Sequence, residues 1–208
     1  MNYQFYAPSL RKLETVNNLS EHKANIRLYL LVTRCQAGDI KAFEQLYDEF
    51  SSRTHTHIKN IIGAVESEDV LQDLWVSVYL NIKDLMNPHG FKTWLFRITR
   101  NKAIDHLRLK NKLPKSYELE LDEISEDAVT LEEPDDFLNE INDSLLEAIS
   151  VLPAPQKEVM LLKYWEGMTY EEIALIIGEK LGTVRSRIYY GKKAIRAKLN
   201  FEHINKHK

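Results

Sequence analysis

Apolar positions along the chain recur at the three-and-four spacing of helices, and nowhere alternate long enough to propose a strand. GDIKAFEQLYDEF sets Ile40, Phe43, Leu46, Tyr47 and Phe50 at helical spacing, with Asp39 as the candidate N-cap. SEDVLQDLWVSVYLNI repeats the pattern, with Ser67 as cap and Leu71, Trp75, Val78 and Ile82 on one stripe. A break at Asn87-Pro88-His89-Gly90 follows. Phe91, Trp94, Leu95 and Ile98 then open a third helix, which Pro114 should end. Beyond it Leu119, Leu121, Ile124, Val129 and Leu131 keep no period, which predicts an extended or disordered connector. A second helical unit starts near Phe137, with Pro153 and Pro155 suited to a helix boundary. The pattern predicts an all-α chain of two small helical domains joined by a linker.

Charge sharpens that division. From His89 to Lys115 there are eight Lys or Arg against Asp105 alone. From Ser116 to Asp143 there are twelve Asp or Glu and no Lys or Arg, and from Lys180 to Lys198 seven Lys or Arg and no acid. A formal net charge of -3 speaks on its face against a nucleic-acid binder, but the order basic, acidic, basic makes two cationic units on an anionic connector.

The second cationic unit holds TYEEIALIIGEKLGTVRSRI. Thr169 and Glu172 form a T-x-x-E capping box, and Ile173, Ala174 and Ile177 supply a buried face. Gly178 stands where a tight turn between two helices needs positive φ. The following helix buries Val184 and Ile188 and is expected to leave Thr183, Arg185, Ser186 and Arg187 outward. Short hydrogen-bonding groups and Arg near a helix start suit the major groove. Lys192, Lys193, Arg196 and Lys198 downstream suit phosphates.

LPAPQKEVMLLKYWEGMTYEEIALIIG with GTVRSRI resembles region 4 of bacterial sigma factors. GDIKAFEQLYDEF, SEDVLQDLWVSVYLNI and FKTWLFRITRNKAIDHLR resemble region 2 of the same family, in the same order. With a short connector and no intermediate domain, the chain resembles the extracytoplasmic-function (ECF) group of the sigma-70 family. The resemblance covers about Ala37 to Lys115 and Leu145 to Leu199. It implies an N-terminal extension over 1–36, region 2 over 37–115, an acidic linker over 116–136, region 4 over 137–200 and a tail over 201–208.

The resemblance implies that region 2 docks on the β′ clamp helices of core RNA polymerase and captures the −10 element. Region 4 then docks on the β flap and reads the −35 element. Asp69, Gln72 and Asp73 fall at i, i+3 and i+4 on one helix face, and by resemblance are the core-polymerase-binding residues. Arg97, Arg100, Asn101, Lys102, Asp105 and Arg108 lie on the basic helix assigned to the −10 element. Opening a promoter costs a few kcal/mol per extruded base, offset by a pocket that binds the base. The resemblance places that pocket at residues 81–91 and Asn101, while Phe91 and Trp94 read as core. Thr183, Arg185, Ser186, Arg187 and Lys192 carry the −35 assignment. The acidic linker is implied to thread near the active-site cleft and RNA exit channel; as a plain tether it is a solvated polyanion. An anti-sigma factor is a further implied partner. Glu179, Lys180 and Leu181 depart from the small, apolar or hydroxylic residues usual in the helix-turn-helix turn, and a carboxylate there would repel phosphate.

A stand-alone helix-turn-helix regulator and a decoy that occupies a sigma partner without initiating transcription are the competing readings. Cys35 is the one cysteine, so neither an intrachain disulfide nor a Cys-based zinc site is expected, and it reads as buried or inert. His55 and His57, two apart, read as surface or cap residues rather than metal ligands. No phosphate loop or nucleophile–base motif occurs, so neither a cofactor nor an enzymatic activity is expected. The first residues lack a signal-peptide pattern, and Leu28 to Val32 is far short of the roughly 18 residues that span a bilayer, which predicts a cytoplasmic protein.

Overall fold

A computed structural model describes the backbone of residues 7–110 and 143–206, and the side chains of 22–110 and 147–198. The acidic connector, Pro114 and Phe137 lie outside the described residues. Among the described residues all regular structure is helical. The elements are α1 (Ala7–Gln36), α2 (Ile40–Ile62), α3 (Ser67–Asn81), the 3₁₀ turns Ile82–Asp84 and Pro88–Gly90, α4 (Phe91–Leu109), α5 (Asp143–Ser150), α6 (Ala154–Met160), a π-helical segment (Leu161–Trp165), α7 (Tyr170–Ile177) and α8 (Leu181–Lys206).

Local chemistry sets most of the boundaries. Asp39 Oδ1 accepts from Ala42 N at 3.1 Å, the N-cap read from sequence, while its other oxygen takes Arg34 Nε and Nη2 at 3.0 and 2.7 Å. The Arg34 bonds, then the Ala42 amide, hold the Asp39 carboxyl below its usual range. Ser67 corrects the sequence reading. It is not a cap but the first residue of α3, fully buried, and its hydroxyl donates to the Ala64 carbonyl and pairs with His55 Nε2 at 3.0 Å. Pro153 caps α6 as the boundary reading required.

The described residues of Met1–Ser52 and Trp75–Lys92 form one compact unit, and those of Arg53–Leu74 and Thr93–Lys208 the other. The first unit buries Leu31, Val32, Cys35, Leu46, Phe50, Val78, Ile82 and Phe91. Aromatic edges interlock there: Phe43 meets Trp75 and Tyr79 at centroid distances of 5.9 and 5.1 Å, and Phe50 meets Phe91 at 5.6 Å. Burial, with Asp39 adding and Arg34 opposing, pushes the Cys35 thiol up to about 11, so it is inert as expected.

The second unit has two clusters. Ile61 of α2 meets Ala103, Ile104 and Leu107 of α4. A larger core joins Phe96 of α4 to Ile149, Leu152, Met160, Leu162, Ile173, Ile176, Val184, Ile188 and Ile195. Each fully buried aliphatic side chain here contributes about 1.5–3 kcal/mol of transfer free energy. Gly191 is fixed by this packing, since a Cβ there would lie 3.0 Å from Met160 Cγ and Sδ.

Candidate polymerase and promoter interfaces

The helix-turn-helix is built as its residues dictate. Thr169 Oγ1 accepts from Glu172 N at 3.1 Å and Glu172 Oε2 accepts from Thr169 N at 2.9 Å, which completes the capping box. Gly178 ends α7 at φ 72°, a left-handed geometry that L side chains rarely adopt.

The next helix corrects the sequence reading in part. Arg185 is exposed and Thr183 half-exposed, as expected. Ser186, Arg187 and Lys192 are buried. Arg187 lies three residues after Val184 and one before Ile188, on the edge of the Val184–Ile188–Ile195 core stripe, and its Nη2 donates to Glu179 Oε1 at 3.2 Å. Glu179 is therefore committed to its own fold, and the carboxylate that departs from the family's turn pattern closes an ion pair from the turn to α8. Ser186 Oγ donates to the Thr183 carbonyl of its own helix at 3.0 Å. Lys192 adjoins Gly191, whose close approach to Met160 and Leu152 marks the part of α8 covered by neighbouring helices.

On α4, Arg97, Asn101, Asp105 and Arg108 are exposed, and their spacing places them on one helical stripe. Arg108 Nη1 donates to Asp105 Oδ1 at 3.2 Å within that stripe. Lys102 is half-buried. Arg100 is the second correction: its side chain is 14% exposed and its Nε donates to Glu158 Oε1 at 2.9 Å. Standing three residues from Arg97, Arg100 turns to the flank that meets α6.

Glu158 is 3% exposed, and was missed in the sequence. The signal was present: Pro155, Glu158, Val159 and Leu162 share the i, i+3, i+4, i+7 spacing of an inner face, and one of them is a carboxylate. Burial pushes its pKa up, but the imidazole of His57 and the charge of Arg100 outweigh burial and hold it below the ordinary 4.5. His57 Nε2 stands 3.6 Å from Glu158 Oε1, just beyond hydrogen-bond reach, and its ring meets Phe96 edge-on at 5.5 Å. His57 is thus a buried core histidine, not a surface or cap residue. His55 is the one that bonds near a helix start.

Further pairs surround this cluster. Arg53 forms a bidentate bond to Glu166 through Nε and Nη2, and Thr93 Oγ1 donates to Glu172 Oε1 at 3.1 Å. At the far end of α4, Glu66 takes His106 at 2.5 Å and Lys110 at 3.0 Å.

Asp69, Gln72 and Asp73 are all exposed on α3. The helical register continues their face through Val76, Tyr79 and Leu80, which are 60%, 53% and 67% exposed. Phe91 is buried and Trp94 half-buried, consistent with core roles. No described helix is long and apolar enough to cross a membrane.

Comparison with known proteins settles the family. The Sigma-70 region 2 profile matches residues 46–112, and the Sigma-70 region 4 profile residues 142–195. The ECF RNA polymerase sigma-E factor of Haemophilus influenzae is 31% identical over 180 residues, covering 81% of this chain and 93% of that protein. The Escherichia coli K12 sigma-E factor is 30% identical over 173 residues, covering 80% and 91%. In fold, the chain is similar to the sigma factor RpoE from Bartonella quintana, solved in complex with the anti-sigma factor NepR. That likeness has a TM-score of 0.55 at 22% identity over 77% of this chain and 98% of that one. With both sigma regions in order and relatives matched over nearly their whole length, the chain belongs to the ECF group of the sigma-70 family and is a sigma factor acting in transcription initiation.

Proposed function

We propose that this sigma factor docks on the β′ clamp helices through Asp69, Gln72 and Asp73. It holds the −10 element along Arg97, Asn101, Lys102, Asp105 and Arg108, with residues 81–91 taking an extruded base. It reads the −35 element through Thr183 and Arg185, while region 4 sits on the β flap. The observation that carries this reading is the exposed stripe Arg97–Asn101–Asp105–Arg108, which leaves cations and an amide in solvent while the opposite side of α4 is buried. Cations follow a single strand's backbone, and an exposed amide suits base edges. Arg100 and Arg187 are assigned to internal ion pairs instead.

The functional domains span 37–115 and 137–200, the protein works in the cytoplasm beside polymerase, and it has no catalysis of its own. An anti-sigma factor regulates it, a reading supported by the likeness in fold to the sigma factor RpoE solved with the anti-sigma factor NepR. Co-elution with core polymerase tests the docking face. Wild type co-elutes, and Asp69→Lys/Asp73→Lys elutes free while remaining folded. Retained co-elution of that variant would overturn the docking assignment.

A further inference from the structure

The segment between α3 and α4 presents a thioether to solvent. Met86 is 98% exposed, with exposed Asn87 beside it. A thioether is polarizable and packs readily on a flat π-face, so an exposed Met at a loop tip is chemically suited to meet a base. The backbone beneath it is held firmly. Leu85 N donates to the Ile82 carbonyl at 3.3 Å, and Asn87 Oδ1 accepts from His89 N at 3.1 Å.

The remaining anchors come from one helix outside the loop. Gln36, the last residue of α1, uses both protons of its side-chain amide: Nε2 donates to the Ile82 carbonyl at 3.1 Å and to the Leu85 carbonyl at 2.7 Å. Two acceptors facing one atom fix the amide's orientation, since its oxygen could serve neither. About two helical turns back, the Tyr29 ring stacks on His89 at 4.5 Å between centroids and 24° between planes. α1 therefore grips the loop on both sides of Met86.

We propose that α1 is a positioning element of the −10 reader: Gln36 and Tyr29 set the loop that presents Met86 to an extruded base. This rests on the reading that residues 81–91 take that base. Gln36 and Tyr29 touch no nucleic acid themselves. They act through the loop's backbone and through His89, so the segment before region 2 contributes to promoter choice.

The test uses full-length protein with core polymerase and a promoter library randomised over the −10 element, behind a fixed −35 element. Gln36→Glu keeps shape but turns a carboxylate toward two carbonyls. It flattens the wild type's base preference at one −10 position about tenfold, the size of one base contact. Tyr29→Ala flattens the same position less, and Tyr29→Phe, which keeps the stack, restores it. The thermal midpoint drops with the two lost hydrogen bonds, so the assay is run at a temperature where the variant stays folded, and there core-polymerase affinity and −35 preference keep wild-type values. If these two fall together with the base preference, or if Gln36→Glu keeps the preference intact, the positioning role is wrong. Met86→Ala separates the layers. A changed preference with Met86→Ala but not with Gln36→Glu overturns the role of α1 alone. Unchanged preference in both overturns the loop reading as well.

Discussion

α4 and α8 are both basic helices, and sequence charge suits both to nucleic acid, yet they meet solvent differently. α4 keeps Arg97, Asn101, Asp105 and Arg108 exposed and turns Arg100 inward. α8 exposes Arg185 but buries Ser186, Arg187 and Lys192. The difference lies in how much of each helix is covered. α5, α6 and α7 all pack on α8, so the arc left to solvent is narrow. A cation on such a helix is more often paired within the protein than offered to a partner. Sequence charge alone does not distinguish the two cases.

The largest effect that could break this comparison is on stability. Arg187→Ala leaves Glu179 without its partner and a buried gap, and should cost ~1–3 kcal/mol in thermal or denaturant unfolding. Arg185→Ala should stay within ~0.5 kcal/mol of wild type, as an exposed substitution. Equal stabilities for the two variants would put Arg187 back in solvent.

Transcription supplies the complementary reading. Arg185→Ala should lower −35-dependent initiation about tenfold, the loss of one good base or phosphate contact. Arg187→Ala should lower it only in proportion to the folded fraction lost. Run-off assays on one template compare them directly.

Acid stability sharpens the contrast on the α4 side. Glu158 has a carboxyl held below 4.5 in the folded state, so its contribution is present above the unfolded value and is shed as pH falls through the folded one. The groups facing it are Arg100 and His57. Unfolding followed from neutral pH downward should therefore steepen below about pH 4.5 in wild type, and the steepening should shrink in Glu158→Gln. An unchanged slope would detach Arg100 from Glu158.

The smallest effect belongs to the exposed stripe. Arg108→Ala removes an ion pair with both side chains about two-thirds exposed, and should change stability by no more than ~0.5 kcal/mol. It should also reduce the slope of log affinity against log salt by about one phosphate contact.

Much of the molecule was legible in the sequence. Asp39, Thr169, Glu172, Gly178 and Pro153 did locally what their chemistry predicts, because caps and turns are decided within a few residues. The exposed set on α3 followed from helical spacing, whereas the set on α4 came from charge and the resemblance to region 2. What failed was tertiary. His57 and Arg100 face a partner dozens of residues away, Ser67 meets His55 across a helix boundary, and Arg187 lies on the covered arc of its helix; none of this is written in local periodicity. The grip of Gln36 and Tyr29 on the loop was illegible for the same reason, since 46 residues separate Gln36 from Ile82.

One experiment tests the division of labour between the two helices most directly. Wild type, Asn101→Ala and Arg185→Ala would each be assembled with core polymerase on a promoter selected by the wild type, and on versions altered at the −10 or the −35 element. Arg185→Ala should become indifferent to the −35 change while still responding to the −10 change, and Asn101→Ala should show the converse. Both variants responding to both changes as the wild type does would contradict the assignment of α4 to one element and α8 to the other.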